Sequence, residues 1–100
     1  AMIFDEIDRG IGGATADAVG RRLVRLSKNA QVLIVTHSPQ VAALGDAHFQ
    51  VVKSITSSDT LTKVNLLDGD ARIEEIARMI SGNKITNAAI NAAATLVDGR

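Results

Sequence analysis

Two short apolar runs, Met2-Ile3-Phe4 and Val32-Leu33-Ile34-Val35, each end in polar residues, Asp5-Glu6-Ile7-Asp8 and Thr36-His37-Ser38-Pro39. Between them Gly10, Gly12 and Gly13 make a turn that tolerates positive φ and close backbone approach. From Ala14 to about Lys28 the pattern is helical, with Val19, Leu23 and Leu26 at i, i+4 and i+7 and Arg21, Arg25 and Lys28 on another face. Strand, helix, strand is a βαβ unit, for which the crossover is right-handed and the strands parallel. Apolar residues on successive positions suit parallel strands covered on both faces. Parallel neighbours lie about 4.8 Å apart, so Asp5, Glu6 and His37 are expected around one small site at the strands' carboxyl ends. Open α/β sheets bind ligands at that edge.

The second strand is expected over Gln31 to Thr36. Ser38 then serves as N-cap and Pro39 as first-turn residue of a short helix through Val41 to Leu44, stopped by Gly45. Ala47 to Lys53 alternates, placing Ala47, Phe49 and Val51 on one face and His48 at an exposed strand position. Ser54 to Asp59 reads as a turn and Leu61 to Leu67 as the returning strand of a hairpin. Asp70 is expected to cap a helix whose stripe is Ile73, Ile76, Ala77 and Ile80, ended by Gly82, with Met79 in the core. An Ala-rich helix follows over Ile85 to Val97, capped by Thr86. The expected architecture is α/β: a partial sheet with a βαβ unit, then a β-hairpin and two C-terminal helices.

With 100 residues, 46% of them hydrophobic, the chain forms one domain at most and is not intrinsically disordered. Two Phe and no Trp or Tyr leave the core to aliphatic residues. Eleven basic and eleven acidic residues balance, so bulk charge argues for neither nucleic acid nor a membrane surface. Zero cysteines exclude disulfides and thiolate zinc sites and suit a reducing cytoplasm. No apolar run approaches the roughly 20 residues of a membrane helix, and no signal peptide is expected before the first strand. Ala1-Met2 leads straight into strand-like residues, so the sequence is expected to begin inside a fold.

Asp5-Glu6 at the end of an apolar strand has a chemical logic. One carboxylate can help hold Mg²⁺ through water while the next orients or deprotonates an attacking water. A His closing the neighbouring strand can contact a terminal phosphate. Taken singly, each residue also fits the start of a solvated loop. Arg21, Arg22, Arg25 and Lys28 could touch nucleic-acid phosphates or simply form the solvated face of an amphipathic helix.

The segment Ile3-Phe4-Asp5-Glu6-Ile7-Asp8-Arg9-Gly10-Ile11-Gly12-Gly13-Ala14-Thr15-Ala16, followed by Val35-Thr36-His37-Ser38-Pro39-Gln40-Val41-Ala42, resembles the RecN family of bacterial DNA repair proteins. Ala71 to Gly82 resembles the C-terminal helix of that family. The resemblance implies an ABC-type ATPase head related to the structural-maintenance-of-chromosomes proteins, with residues 1–100 as its C-terminal portion. It makes Asp5 the Walker B aspartate on Mg²⁺, Glu6 the catalytic glutamate and His37 the switch histidine on the γ-phosphate. Asp8, Gly10, Gly12 and Gly13 would belong to the D-loop, which crosses to a second head when two heads clamp ATP. Arg9 and Gly12 depart from the pattern, which favours a small apolar residue and Ser there. No Gly-Lys-Ser/Thr phosphate loop occurs in these residues.

What the resemblance implies for the intact protein is ATP hydrolysis with Mg²⁺ between dimerised heads, acting on DNA during double-strand break repair and recombination. It also implies a cytoplasmic, nucleoid-associated setting without a membrane. The 100-residue chain alone is expected to be inactive and to form a homo-oligomer. Two other readings stay open at this point. One is a metal-dependent phosphoesterase with Asp5, Asp8 and His37 as ligands, and the other is a non-catalytic self-association module.

Overall fold

The computed structural model describes all residues from Ala1 to Arg100. Strand β1 (Met2–Asp5) pairs in parallel with β2 (Val32–Val35), with Met2 opposite Val32 and Asp5 opposite Val35. Helix α1 (Gly13–Ser27) makes the crossover between them. The expected βαβ unit is present, and its register brings both strand ends level. Its sheet is open on one face: Met2, Phe4, Val32 and Ile34 are half-buried, whereas Ile3, Leu33 and Val35 on the other face are exposed. Apolar runs alone do not report whether both faces are covered.

Helix α1 packs through Ala16, Gly20 and Leu23. Gly20 lets α1 approach closely: a Cβ there would stand 2.6 Å from the end of the Leu44 side chain, which would have to shift. Leu26, expected in the buried stripe, is exposed. The helix it meets, α2 (Pro39–Ala43), is only five residues long. Ser38 caps α2 as expected, accepting from the Val41 N–H at 3.4 Å, with Pro39 at the first position.

The hairpin of β3 (His48–Ile55) and β4 (Thr60–Leu67) is antiparallel, with Val51 opposite Val64. Its facing is the reverse of that expected. His48 and Gln50 are half-buried, while Phe49, Val51, Val64 and Leu66 are exposed on the opposite face. The polar face turns inward because α3 (Gly69–Ser81) offers it polar partners: Gln50 Nε2 donates to Glu75 Oε2 at 2.7 Å.

Helix α3 and α4 (Asn87–Asp98) pack on α2 to form the core of Ala43, Ile76, Ala77, Ala89 and Ala93. Met79 packs partly buried against it, as do Ile73, Ile85, Leu96 and Val97. Ile80 is exposed and leaves the expected stripe; Arg72 and Glu75 are buried instead. Arg72 Nη2 lies 3.0, 3.2 and 2.7 Å from the carbonyl oxygens of Ala42, Ala43 and Gly45, so a cation closes the end of α2. Asp68 occupies the N-cap position of α3, and Asp70 lies in the first turn rather than capping it. Thr86 caps α4, accepting from the Ala89 N–H at 3.1 Å. No helix is long and apolar enough to cross a membrane.

Candidate functional site

The parallel register delivers Asp5 and Glu6 from the end of β1 beside Thr36 and His37 from the end of β2. Glu6 adopts φ +51°, a left-handed conformation that a residue with a Cβ rarely holds. Two backbone bonds fix it there: its N–H donates to Val35 O at 2.7 Å, and its carbonyl accepts from Arg9 N–H at 3.1 Å. Backbone strain of this kind, on the order of 1–3 kcal/mol, clusters at functional positions. The turn lifts the Glu6 side chain toward β2, where Oε1 lies 2.8 Å from His37 Nε2. Arg9 Nη1 stands 3.9 Å from the other carboxylate oxygen.

An open cavity of about 400 Å³ lies above the strand ends, lined by Glu6, Asp8, Arg9, Gly10, His37 and Gln40 among others. Asp5 is exposed at the last position of β1 and stands outside this lining. Gly10 takes φ +79° and turns the chain back toward α1, whose N-cap is Gly12. Gly13 begins α1 where Gln40 approaches: a Cβ on Gly13 would meet Gln40 Nε2 at 3.1 Å. Of the residues singled out from sequence, Glu6, Asp8, Gly10 and His37 thus share one cavity. Asp5 is not among its lining residues, and Gly12 and Gly13 form the start of α1.

Asp8 is buried, and its carboxylate accepts a hydrogen bond from the Thr36 hydroxyl. No three His, Asp or Glu side chains converge anywhere as a cation site, so Asp5, Asp8 and His37 do not form the metal cluster that the phosphoesterase reading requires.

Three residues of the site escaped the sequence reading. Thr36 and Gln40 flank the histidine motif, and Arg9 was noted only as a departure from a family pattern. The signal that could have found Thr36 is the parallel register itself, which sets the residue after Val35 beside the turn that follows Asp5.

No family model matches the chain. It is 48% identical over 99 residues to the DNA repair protein RecN of Deinococcus radiodurans, covering 99% of this chain and 17% of that protein. To RecN of Rickettsia bellii it is 48% identical over 97 residues, covering 97% of this chain and 18% of the relative. RecN of Xylella fastidiosa is 51% identical over 96 residues, covering 96% and 17%. Among solved structures, a chain from work on the ATP-driven dimerization and DNA-stimulated activation of SMC ATPases superposes with a TM-score of 0.65 at 23% identity. That match covers 82% of this chain and 48% of the other, and it carries the α/β fold alone. In sequence, the chain is similar over nearly its whole length to a segment of RecN DNA repair proteins, and it spans under a fifth of the length of the relatives it matches.

Proposed function

We propose that these residues supply the hydrolytic edge of a RecN-type ATPase head, with Glu6 as general base, His37 as the γ-phosphate contact and Asp5 as the magnesium carboxylate. The observation that carries this reading is the meeting of Glu6 and His37 at 2.8 Å across the ends of adjacent parallel strands. A carboxylate held there can orient and deprotonate a water, and an imidazole beside it can donate to a phosphate oxygen as charge develops.

Magnesium in phosphoryl-transfer sites takes one or two protein carboxylates and leaves its other positions to water and substrate phosphates. A single exposed carboxylate at a strand end, as Asp5 is, fits that demand. Bound there, the ion would neutralise charge on the transferring phosphoryl group. Asp8 to Gly13 would form the D-loop facing the second head, and DNA would be engaged by the whole protein. The relatives' name and the SMC neighbour's ATP-driven dimerization support this assignment of ATP, a second head and DNA as partners.

Alone, the 100-residue chain is expected to hydrolyse no ATP, because no Gly-Lys-Ser/Thr loop is present to cradle the phosphates. The deciding experiment uses the full-length protein. Glu6→Gln keeps the side-chain volume but cannot take a proton, so ATP binding should persist while turnover collapses. Wild-type turnover in Glu6→Gln would remove the central assignment.

A further inference from the structure

One hydroxyl fastens the turn after β1 to the end of β2. Thr36 Oγ1 donates to Asp8 Oδ2 and accepts from the Ser38 backbone N–H at 2.9 Å. A hydroxyl has one hydrogen to give, and here it goes to a carboxylate on an aspartate only 7% exposed. His37 lies between Thr36, which bears this hydroxyl, and Ser38, whose N–H the hydroxyl accepts. Its backbone is therefore pinned on both sides, by Thr36 to the turn and by Ser38 to the start of α2, while its side chain stands 90% exposed.

We propose that Thr36 is a positioning residue: its hydroxyl locks the Asp8–Gly13 turn to the strand end that presents His37, so that turn and histidine move as one unit. The inference rests on the hydrolytic reading above. Within the turn, Arg9 N–H bonds to Glu6 O at 3.1 Å and Ile11 N–H to Asp8 O at 3.4 Å. A push on the exposed turn is thus carried through Asp8 and Thr36 to His37, and through Arg9 to Glu6. Contact of the turn with a partner surface would reach both hydrolytic residues by this route.

Thr36→Val matches the shape but removes the hydroxyl, and Thr36→Ser keeps it. In the full-length protein, Thr36→Val should lower kcat for ATP roughly 10–100-fold, the scale on which small misplacements of reacting groups act. KM should stay within about twofold, as befits loss of an interaction that serves the transition state only. Thr36→Ser should restore the wild-type rate. Because Thr36→Val leaves a buried carboxylate without its partner and can impair folding, the double variant Asp8→Ala/Thr36→Val removes both ends of the bond and should show the same kcat loss. Wild-type kcat in the double variant, a loss shared equally by Thr36→Ser, or an effect confined to KM would overturn the proposal. Glu6→Gln assayed in parallel separates the two failures. If it is inactive while the double variant turns over normally, only the role of Thr36 falls; if it turns over normally, the hydrolytic reading falls first.

Discussion

His37 owes its position to Glu6: its Nε2 lies 2.8 Å from Glu6 Oε1, yet its side chain is 90% exposed and packed against little else. Glu6 in turn is 31% exposed and held by a strained backbone. The imidazole is therefore placed by one polar contact and by the pinned backbone beneath it, not by a packed wall. A group held so lightly can exchange its partner when a phosphate arrives.

From this follows the behaviour of His37→Ala in the full-length protein. Removing a donor aimed at developing charge costs about 100-fold or more in kcat, and nucleotide affinity should change far less. Phosphate release under saturating ATP, with binding measured separately, checks both. Turnover at the wild-type rate would make His37 a surface residue.

Arg72 gives a stability prediction independent of any chemistry. Its guanidinium meets three carbonyl oxygens at the end of α2, the helix that supports both α1 and the core. Hydrogen bonds to a charged group contribute about 1.5–3 kcal/mol each but do not add when shared. Arg72→Ala should therefore destabilise the chain by roughly 3 kcal/mol. Arg72→Lys should recover only part of this, since an ammonium lacks the planar fork. Urea melts of the three proteins decide it, and equal midpoints would show the contacts to be incidental.

Acidification should unfold the chain in two stages. Burial pushes the pKa of His48 below its ordinary 6.5, the nearby Arg72 pushes it further down, and Glu75 opposes them. The fold thus favours neutral His48, whose Nδ1 is buried without a partner. The stability it contributes is complete above pH 6.5 and is lost as pH falls through the lowered value. Glu75 is also lowered, chiefly by the hydrogen bond from Arg78, so its share is lost only below its ordinary 4.5. His48→Gln should flatten the first stage and leave the second, in melts run from about pH 8 to about pH 3. An unchanged first stage would clear His48 of responsibility.

These cases mark where the sequence was legible. Local rules read the βαβ unit, the Ser38 and Thr86 caps and the hairpin, because each depends on a few neighbouring residues. The same local chemistry drew Glu6 and His37 together, since strand ends in a parallel pair must lie side by side, while Asp5 stands outside the cavity they line. What failed were statements about which face is covered. Phe49 and Val51 look inward by hydropathy, yet the polar face turns in because Glu75, twenty-five residues from Gln50, supplies the partner. The burial of Arg72 and of Asp8 is illegible for the same reason: carbonyls at a helix end and a threonine just past the end of β2 satisfy them. Partnership across the fold has no periodicity to read.

The last prediction concerns self-association of the 100-residue chain. Strands β1 and β2 form a two-stranded sheet, so each has an outer edge with unpaired backbone groups. One face of that sheet exposes Ile3, Leu33 and Val35, and one face of the hairpin exposes Phe49, Val51, Val64 and Leu66. Open apolar edges are templates for pairing with another chain, and burying such side chains gains about 1.5–3 kcal/mol each. The core holding the helices together is mostly alanine, with Ile76 its one large, fully buried side chain. Little stability is therefore at hand to offset so much exposed apolar surface. A homodimer or larger oligomer is expected, and Leu33→Lys should weaken it by placing a charge on the parallel sheet's open face. Sedimentation at micromolar concentration reads the outcome. A cooperatively folding monomer, unchanged by Leu33→Lys, would mean that these faces tolerate water and that the sheet edge does not recruit a second copy.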